Sequence, residues 1–261
     1  MIIASWNINS LRLRVNHIEK LLKSHSPDII CFQETKVRDQ EFPFEDIKKF
    51  GYEFMAICGE KSYNGVAIIS RIPFEDVNTH KFANDACRHV SIKIKSGIEI
   101  HNFYVPAGGD IADPEINPKF FNKLQYLDEV TDWFANNRTK NDPMILVGDL
   151  NIAPLEHDVW SHKQLLKEVS HTPIEIEKIK KWQDGLSWYD THRHFTPDDQ
   201  KLYSWWSYRN RDWRKSNRGR RLDHIWITPI LKKNLSYAWI LKDARDWESP
   251  SDHVPILAEF S

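Results

Sequence analysis

Residues 143–151 have the sequence Pro-Met-Ile-Leu-Val-Gly-Asp-Leu-Asn, an apolar run that ends abruptly in glycine and two polar residues. A short apolar run bounded by turn residues predicts a buried strand. In open α/β sheets, ligand sites lie beyond the carboxyl ends of strands, so Asp149 and Asn151 would stand where chemistry can occur. Asp and Asn are equally typical of a simple turn that closes a strand. The other strand ends decide between these two interpretations.

Other apolar runs in the chain also predict strands, and several of them end in polar residues. The predicted strands cover 2–6, 28–32, 52–57, 64–70, 87–94, 98–104, 222–227, 236–241 and 254–260. The polar residues at these ends are Asn7, Asn9, Glu34, Tyr104, Asp149, Asn151, Asp223, Asp252 and His253. Helical spacing of apolar residues predicts helices over 11–22, from Asn117 onward, over 173–182 and over 184–194. Strands joined both as hairpins and through helices favour a mixed sheet or a pair of sheets.

The polar residue types suit one kind of chemistry. Carboxylate and amide oxygens of Glu, Asp and Asn are the ligands that Mg²⁺ prefers. Asp and His can activate or orient a water, and Tyr and Asn can donate to a phosphate oxygen. Together these types predict metal-assisted hydrolysis of a phosphoester. The simpler alternatives are a helix cap at Asn7 and Asn9, a surface carboxylate at Glu34, and a turn with a structural histidine at 251–253.

The bulk properties limit the class of protein. The chain has 261 residues, 41% of them hydrophobic and 28% charged, with a formal net charge of −1. These values predict a single globular domain over 1–261 and give no global case for a polyanionic partner. The three widely spaced cysteines form no metal or disulfide pattern, and no signal peptide or membrane-length apolar run is present. We therefore expect a cytoplasmic monomer that does not associate with membranes.

The motifs together resemble the exonuclease III family of abasic-site (AP) endonucleases, within the endonuclease/exonuclease/phosphatase superfamily. The matching segments occur in the family's order along almost the whole chain: 6–12 (WNINSLR), 33–36 (QETK), 63–67 (YNGVA), 104–106 (YVP), 148–151 (GDLN), 205–209 (WWSYR), 221–223 (RLD) and 251–253 (SDH). The resemblance implies an α/β fold, a four-layered sandwich of two packed mixed β-sheets with helices on the outer faces. It implies an Mg²⁺-dependent DNA repair phosphodiesterase, with Mn²⁺ as a substitute. Such an enzyme cleaves duplex DNA 5′ to abasic sites and removes nucleotides or blocking groups from recessed or blocked 3′ ends.

The resemblance also implies roles for individual residues. Glu34, Asn7 and Asp252 correspond to residues at the metal. Asp149 corresponds to the residue that orients and deprotonates the attacking water, with Asn151 as its partner. His253 corresponds to a phosphate-contacting histidine paired with Asp223, and Tyr104 to a phosphate-binding tyrosine. The resemblance leaves open whether Asp149 or the His253–Asp223 pair is the general base, because either can accept a proton.

DNA contacts are expected from a basic, aromatic stretch. Seven basic residues and one acid occupy positions 209–221, directly after Trp205 and Trp206. Arginines beside aromatic rings are typical of nucleic-acid binding, although a charge run is often only a solvated face. The resemblance implies that Trp205 and Leu222 form a pocket for a baseless sugar and that Arg209 inserts into the duplex. It also implies contacts from Tyr63, Arg88 and Arg12.

One enzyme alternative shares much of this site. A phosphoesterase of the same superfamily acting on a non-nucleic-acid phosphoester would also carry Glu34, Asp149 and His253. The arginine stretch and the tryptophan pair argue against it. Two departures from the family pattern stand out, namely Ala107 where relatives carry an amide and Ser204 where a threonine is usual. The histidines of 156–171 have no role predicted from the sequence.

Overall fold

The computed structural model describes residues 1–84, 86–210 and 212–261. The strands in these residues are β1 (Ile2–Asn7), β2 (Ile29–Gln33), β3 (Phe54–Cys58), β4 (Val66–Ser70), β5 (Phe74–Asn78), β6 (His89–Ile94), β7 (Glu99–Tyr104), β8 (Met144–Asp149), β9 (Tyr189–Asp190), β10 (Trp205–Trp206), β11 (Gly219–Arg220), β12 (Asp223–Ile227), β13 (Leu235–Ile240) and β14 (Ile256–Phe260). The helices are α1 (Leu11–Ser24), α2 (Phe44–Lys49), α3 (Pro118–Asn137), α4 (His162–Leu165), α5 (Pro173–Gly185), α6 (Thr191–Phe195) and α7 (Trp213–Ser216). Short 3₁₀ turns cover Asp39–Glu41, Glu156–Asp158, Pro229–Asn234 and Lys242–Asp246.

The strands form two six-stranded sheets and one small hairpin. The first sheet has the order β13-β14-β1-β2-β4-β3, the second has the order β5-β6-β7-β8-β12-β9, and β10 pairs with β11. Strands β1 and β2 are parallel, as are β7 and β8, whereas the other neighbours are antiparallel. Both sheets are therefore mixed, as the alternation of hairpins and helices along the sequence predicts.

The two sheets pack face to face, with helices on both outer sides. Ile29 and Ile68 of the first sheet and Ile100 and Val147 of the second share one buried apolar cluster between the sheets. Helix α1 covers the other face of the first sheet, while α3 and α5 cover that of the second. Alternate residues of each strand serve the two faces because side chains in a strand have a period of two. The predicted four-layered sandwich is confirmed.

A helix and an edge strand are the main differences from the sequence-based prediction. The helix predicted over 184–194 is wrong, because α5 ends at Gly185 and residues 189–190 pair as β9 before the short helix α6 begins. Asp190 caps α6 by accepting from the backbone N–H groups of His192 and Arg193, both at 3.1 Å. Strand β5 was not predicted because it lies at a sheet edge, is mostly exposed and lacks an apolar run.

Membrane insertion through a helix finds no support in the structure. None of the helices built from the described residues combines the length and apolarity that a bilayer crossing requires.

Candidate active site

The polar residues meet where the central strands of both sheets end. Asn7 ends β1, Tyr104 ends β7 and Asp149 ends β8, while Asp223 begins β12 directly opposite Asp149. Parallel pairing of β7 with β8 sets Tyr104 beside Asp149. These polar residues, which the sequence places at the ends of predicted strands, therefore come together from strands of both sheets. Rigid strands, rather than loops, therefore hold the core of the site.

Gly148 allows β8 to reach this position. Its φ of +148° is rarely adopted by residues with a side chain, and a Cβ there would lie 1.9 Å from the Phe103 carbonyl oxygen. The close approach of β7 and β8 immediately before Asp149 therefore requires glycine.

Asp149, His253 and Asp223 form a buried line of side chains. His253 Nε2 lies 3.6 Å from Asp149 Oδ2, and His253 Nδ1 lies 2.8 Å from Asp223 Oδ2. Ser204 Oγ donates to the same Asp223 oxygen at 2.6 Å. The backbone N–H groups of Leu222 and Asp223 donate to Ser204 Oγ at 3.1 Å each. The imidazole is thus held between two carboxylates in one orientation.

Asn151 is tied to Asp149 although the strand has already ended. Its φ of +53° lies in the left-handed region, so the alternation of strand side chains does not extend to this residue. The Asn151 backbone N–H donates to Asp149 Oδ1 at 2.9 Å, and its Nδ2 donates to the Val105 carbonyl at 2.9 Å. Nδ2 also lies 3.3 Å from Asp149 Oδ2. A local turn, rather than strand periodicity, brings the two side chains together.

Glu34 accepts several hydrogen bonds and is linked to Asp149 through Asn7. Its Oε1 accepts from Asn7 Nδ2 and from the Tyr104 hydroxyl, both at 2.9 Å, while Oε2 lies 2.7 Å from Lys36 Nζ. Asn7 Nδ2 also donates to Asp149 Oδ2 at 2.9 Å, which links Glu34 to Asp149 through one amide. Lys36 was not predicted as a site residue, although it belongs to the 33–36 motif.

Asp252 is hydrogen-bonded to Asn9 and Trp205. Its Oδ1 accepts from Asn9 Nδ2 at 3.1 Å, and its Oδ2 accepts from Trp205 Nε1 at 2.9 Å. Asn9 Oδ1 in turn accepts from Lys36 Nζ at 2.6 Å. Asp252 is therefore connected to Glu34 indirectly, through Asn9 and Lys36, and it also holds the edge of the Trp205 ring.

Burial and neighbouring charges shift the pKa values of the central groups. Burial raises the pKa of Asp149 to about 7, against the opposing effect of the His253 charge. Burial alone would lower the pKa of His253, but the carboxylates of Asp223 and Asp149 raise it to about 10. Near neutral pH the imidazole therefore stays protonated, while Asp149 is a base of near-neutral strength.

The pKa values of the neighbouring Glu34 and Tyr104 are shifted apart, in the directions that keep Glu34 ionised and Tyr104 neutral. Burial would raise the pKa of Glu34, but Lys36 and Asn7 lower it below the ordinary value. Burial, followed by the charge of Glu34, raises the pKa of Tyr104 well above its ordinary value. The site therefore presents an ionised carboxylate next to a phenol that remains a hydrogen-bond donor.

The residues present fit a metal ion. Within the described residues, Asp149, Asp223 and His253 bring ligand atoms within 4.8 Å of one another, but the protonated His253 has no lone pair for a metal, so only carboxylate oxygens of this group can serve as ligands. Asp223 Oδ1 is a buried carboxylate oxygen without a hydrogen-bond partner. Glu34 already attracts the cationic Lys36, and carboxylate and amide oxygens are hard ligands. The donor set as a whole suits a hard divalent cation.

A cleft of about 770 Å³ opens over these side chains. Glu34, Tyr104, Asn151, Asp252 and His253 line it. Of the residues predicted to contact DNA, its lining includes Trp205, Arg209 and Leu222. It also includes residues that the sequence did not single out, among them Trp160, Val169, Ser170, Arg218 and Arg220. Three predicted catalytic residues, Tyr104, Asn151 and His253, thus share one cavity with the pocket residues, whereas Asp149 and Asp223 are buried and do not belong to its lining.

The other predicted DNA contacts lie outside that lining. Tyr63 is 73% exposed, and Arg12 is exposed beside Glu41, 3.6 Å away. Arg88 is half-buried, with its guanidinium 4.7 Å from the centre of the Tyr104 ring and Nη1 donating to the Tyr104 carbonyl at 3.3 Å. Arg88 therefore supports Tyr104 directly.

The basic residues of 209–221 differ in burial and in their ion-pair partners. Arg221 is fully buried and pairs with Asp158 and Asp190 at 2.8 and 2.6 Å, so its expected role as a solvent-facing phosphate contact is wrong. Arg214 pairs with Asp243 and Asp246. Arg211 lies outside the described residues. Arg209 and Arg218 remain exposed at the cleft.

The 156–171 region forms one wall of the cleft. Asp158 anchors it to Arg221, and His171 Nδ1 lies 2.6 Å from the Ala153 carbonyl, with His162 Nδ1 2.8 Å from its other nitrogen. His162 and His171 thus link the 156–171 segment to the backbone at Ala153. Trp160 projects from the same wall, where the Arg218 guanidinium lies 4.7 Å from the centre of its ring.

A buried ion pair lies below the cleft floor. Lys123 Nζ and Glu175 Oε1 are 2.5 Å apart and both side chains are fully buried. Lys123 also donates to the carbonyls of Asn151 and Ala107, at 2.8 and 3.2 Å. Glu175 accepts from the Ser170 backbone N–H. The pair therefore ties three loops of the cleft to α3 and α5.

Comparisons with known proteins relate the whole chain to one family. The sequence model described as the Endonuclease/Exonuclease/phosphatase family matches residues 4–253. Exodeoxyribonuclease III of Haemophilus influenzae is 30% identical, with 98% of each chain covered. An AP endonuclease structure from Archaeoglobus fulgidus superposes with a TM-score of 0.92 at 32% identity, covering 100% of this chain and 99% of that one. A Neisseria 3′ phosphatase bound to product DNA hairpin gives 0.92 at 30% identity, with 100% and 99% covered.

The family match extends over nearly the whole chain, and these relatives align over nearly their full lengths. This chain therefore belongs to the endonuclease/exonuclease/phosphatase family and, within it, to the exodeoxyribonuclease III branch.

Proposed function

We propose that this protein is a metal-dependent DNA repair phosphodiesterase. It hydrolyses the backbone 5′ to abasic sites and removes nucleotides or blocking groups from 3′ ends of duplex DNA. The single observation that carries the proposal is the buried Asp149–His253–Asp223 line, which opens into the same cleft as Trp205 and Arg209. We propose that residues 1–261 act as one domain in this reaction.

Asp149 is the group that accepts a proton from the attacking water. Its Oδ1 is held by the Asn151 backbone N–H and its Oδ2 by Asn7, which fixes the carboxylate beside Asn151 and His253, two residues that line the cleft. His253 is unsuited to the base role because, against the lowering effect of burial, the carboxylates of Asp223 and Asp149 raise its pKa to about 10 and keep the imidazole protonated near neutral pH. A protonated imidazole in this position donates to a phosphate oxygen as negative charge develops.

Tyr104 and Asn151 complete the polar surround of the phosphate. Both line the cleft, and the Tyr104 hydroxyl and the Asn151 amide are hydrogen-bond donors. Ala107 supplies no amide, so phosphate binding depends on these two side chains and on His253. In the structure the Tyr104 hydroxyl donates to Glu34 and the Asn151 amide to the Val105 carbonyl, so a bound phosphate would have to draw these donors away from their protein partners.

The metal is held by Glu34, with Asn7 and Asp252 contributing from the same edge of the cleft. When bound, Mg²⁺ or Mn²⁺ neutralises charge that builds up on the phosphate and the leaving oxygen. Lys36 pairs with Glu34 in the structure and keeps that carboxylate ionised for a cation.

The arginine and aromatic side chains around the cleft hold duplex DNA. Arg209 projects towards the duplex, and Trp205 with Leu222 receives the baseless sugar. Tyr63 contacts a backbone phosphate and Arg12 the groove side of the duplex, both outside the cleft lining. Arg88, expected to contact a backbone phosphate, also holds Tyr104. An abasic nucleotide has no stacked base, so its extrusion costs less than that of a normal one.

The alternative, a phosphoesterase for a non-nucleic-acid substrate, is less well supported. The cleft walls carry Trp160, Trp205, Arg209 and Arg218, which suit stacking and phosphate contacts along a polymer. A Haemophilus relative is named exodeoxyribonuclease III, and a Neisseria relative is described with product DNA bound. These relatives support DNA as the substrate here.

The test uses the purified full chain and a duplex with one tetrahydrofuran abasic analogue. With Mg²⁺ we expect a single cut 5′ to the analogue, and with EDTA we expect binding without cleavage. A matched duplex without the analogue serves as the control and should lose only nucleotides from its 3′ ends. Absence of cleavage in Mg²⁺ and in Mn²⁺, together with hydrolysis of inositol phosphates, would replace the proposal by the alternative.

A further inference from the structure

Arg220 is an unassigned cation in the wall of the cleft. It lies in β11, is half-buried, and lines the same cavity as His253. Its Nη1 donates to the Val169 carbonyl at 2.8 Å and to Ser170 Oγ at 2.7 Å. These two bonds fix the guanidinium against the 168–171 loop, and the loop is itself anchored by Glu175.

No carboxylate in the described part of the chain lies within ion-pair distance of Arg220. Its Nε is buried without a hydrogen-bond partner. The acidic groups that act on it from farther away are Glu168, which is exposed, and Glu175, which is already paired with Lys123. Burial lowers the pKa of Arg220, which shows that desolvation of this charge is not offset within the protein. A partly desolvated cation without a counter-ion suits an anionic ligand.

The register fixes where that anion would lie. Arg220 pairs with Trp205 across the β10–β11 hairpin, and Trp205 forms a bridge with His253 on its other side. Neighbouring strands are about 4.8 Å apart, so the Arg220 backbone lies roughly 10 Å from that of His253. The Arg220 guanidinium also lies 5.6 Å from the centre of the Trp205 ring. Arg220 thus borders the pocket of the abasic sugar, beyond the reacting phosphate.

From this arrangement we propose that Arg220 forms a second anion subsite, which binds the phosphodiester on the 3′ side of the abasic nucleotide. The proposal rests on the proposed function, because Trp205 and Leu222 define which nucleotide is held. Only Nη1 of the guanidinium bonds to the described residues, so Nη2 is free to donate to a phosphate oxygen while the charge attracts the anion. The subsite favours an internal abasic nucleotide, which carries this phosphate, over a terminal nucleotide that ends in a hydroxyl.

The experiment changes one charge in the substrate. Two duplexes carry the same tetrahydrofuran abasic analogue, and in one of them the phosphate on its 3′ side is a neutral methylphosphonate. We expect kcat/KM of the wild-type protein, with Mg²⁺, to fall about tenfold or more on the methylphosphonate duplex, the loss typical of a charged hydrogen bond. A methylphosphonate five linkages farther 3′ is the substrate control and should have less than about twofold effect.

Variants assign the effect to Arg220. In Arg220→Met the two duplexes should be cleaved at rates within about twofold of each other, because the charge that distinguishes them is gone. Arg218→Met removes a neighbouring cleft cation that stacks on Trp160, and it should keep the tenfold discrimination. Thermal unfolding of each variant checks that it is folded.

Failure of this inference differs from failure of the proposed function. If the unmodified abasic duplex is not cut, the proposed function itself is wrong. If it is cut but the neutral linkage has no effect on the wild-type protein, the Arg220 subsite is wrong, whether or not the variants fold. Equal loss of discrimination in Arg218→Met would also overturn the assignment, because the effect would then belong to general cleft charge.

Discussion

Ser204 shows how one hydroxyl can set the orientation of the candidate imidazole. It accepts from two backbone N–H groups and donates to Asp223, which in turn holds His253. The hydroxyl is buried, so no water replaces it readily. The family resemblance leads us to expect threonine at this position, and threonine offers the same hydroxyl group. The hydroxyl, rather than the methyl group, is therefore the feature that the site requires.

Ser204→Ala should lower both stability and activity. Two buried N–H groups lose their acceptor, which costs about 1–3 kcal/mol in the free energy of unfolding. The kcat for the abasic duplex should fall as well, because Asp223 loses one of the bonds that hold it against His253. Denaturant unfolding and steady-state kinetics measure the two effects. Ser204→Thr is the matched control and should retain kcat; equal activity of the Ala and Thr variants would contradict this role.

The sequence predicted most of the residues that belong to the site, but not the hydrogen bonds and ion pairs that they form. Glu34, Asp149 and His253 were predicted from motifs, and they do lie close together. Arg221 and Arg218 look equivalent in the sequence, yet one is buried on Asp158 and the other stacks on Trp160 at the cleft. Burial and pairing partners depend on contacts distant in sequence, so charge composition alone could not separate them.

Strand β8 is the element on which the site depends most. It is completely buried, it pairs with β7 on one side and β12 on the other, and it ends at Asp149. Both neighbours carry a site residue in register with that end, Tyr104 and Asp223. The position of Asp149 is therefore fixed by two ladders of backbone hydrogen bonds rather than by a loop.

Gly148→Ala should severely destabilise the protein. The added Cβ would meet the Phe103 carbonyl oxygen at 1.9 Å, so β7 and β8 would have to separate. We expect a loss above about 4 kcal/mol in the free energy of unfolding, or failure to fold. Gly185→Ala is the control, because a Cβ there meets nothing within 4 Å and the residue ends α5. Similar stabilities of the two variants would show that β8 adapts more easily than its packing indicates.

The elements of the sheets were mostly predicted, whereas their order was not. Apolar runs located β1, β2, β8 and β14 because each is buried on both faces. The pairing of β14 between β1 and β13 joins segments from opposite ends of the chain. No local pattern encodes such a pairing. The edge strand β5 is mostly exposed and has no apolar run. Strands β9, β10 and β11 have two residues each, which is too short to show a periodic pattern.

At the scale of the whole molecule, the active site spans both sheets. Glu34 and Asn7 come from the first sheet, while Tyr104, Asp149 and Asp223 come from the second. The packed interior between the sheets fixes these two groups relative to each other. Small changes in sheet packing should therefore affect the site as a whole, and the stability of the fold and the geometry of the site are coupled.

The buried ion pairs of Asp158 should make global stability depend on pH. Burial would raise its pKa, but Arg221 and Arg193 lower it below the ordinary value. A carboxyl whose pKa is lower in the folded state stabilises fully above its unfolded pKa of about 3.9, and this contribution is lost as pH falls through the folded pKa. Asp158→Asn should cost about 3–5 kcal/mol at pH 7, since it leaves buried arginines unpaired.

Denaturant unfolding of wild type and Asp158→Asn across pH measures this contribution. Between pH 7 and about 5 the difference between the two proteins should be constant, and below about 4 it should narrow. The wild type should be the one whose stability falls, since the variant has no carboxyl at this position. A difference that already shrinks between pH 7 and 5 would contradict a lowered pKa for Asp158.

The most direct test of the central claim is a single-turnover cleavage measurement on the abasic duplex with Asp149→Asn and the wild-type protein, both saturated with Mg²⁺. The substitution keeps the shape of the side chain and an oxygen for the Asn151 backbone N–H, but it removes the proton acceptor. We predict a rate at least about 100-fold lower, with affinity for the same duplex in EDTA unchanged within about threefold. A near-normal cleavage rate for Asp149→Asn would contradict the account.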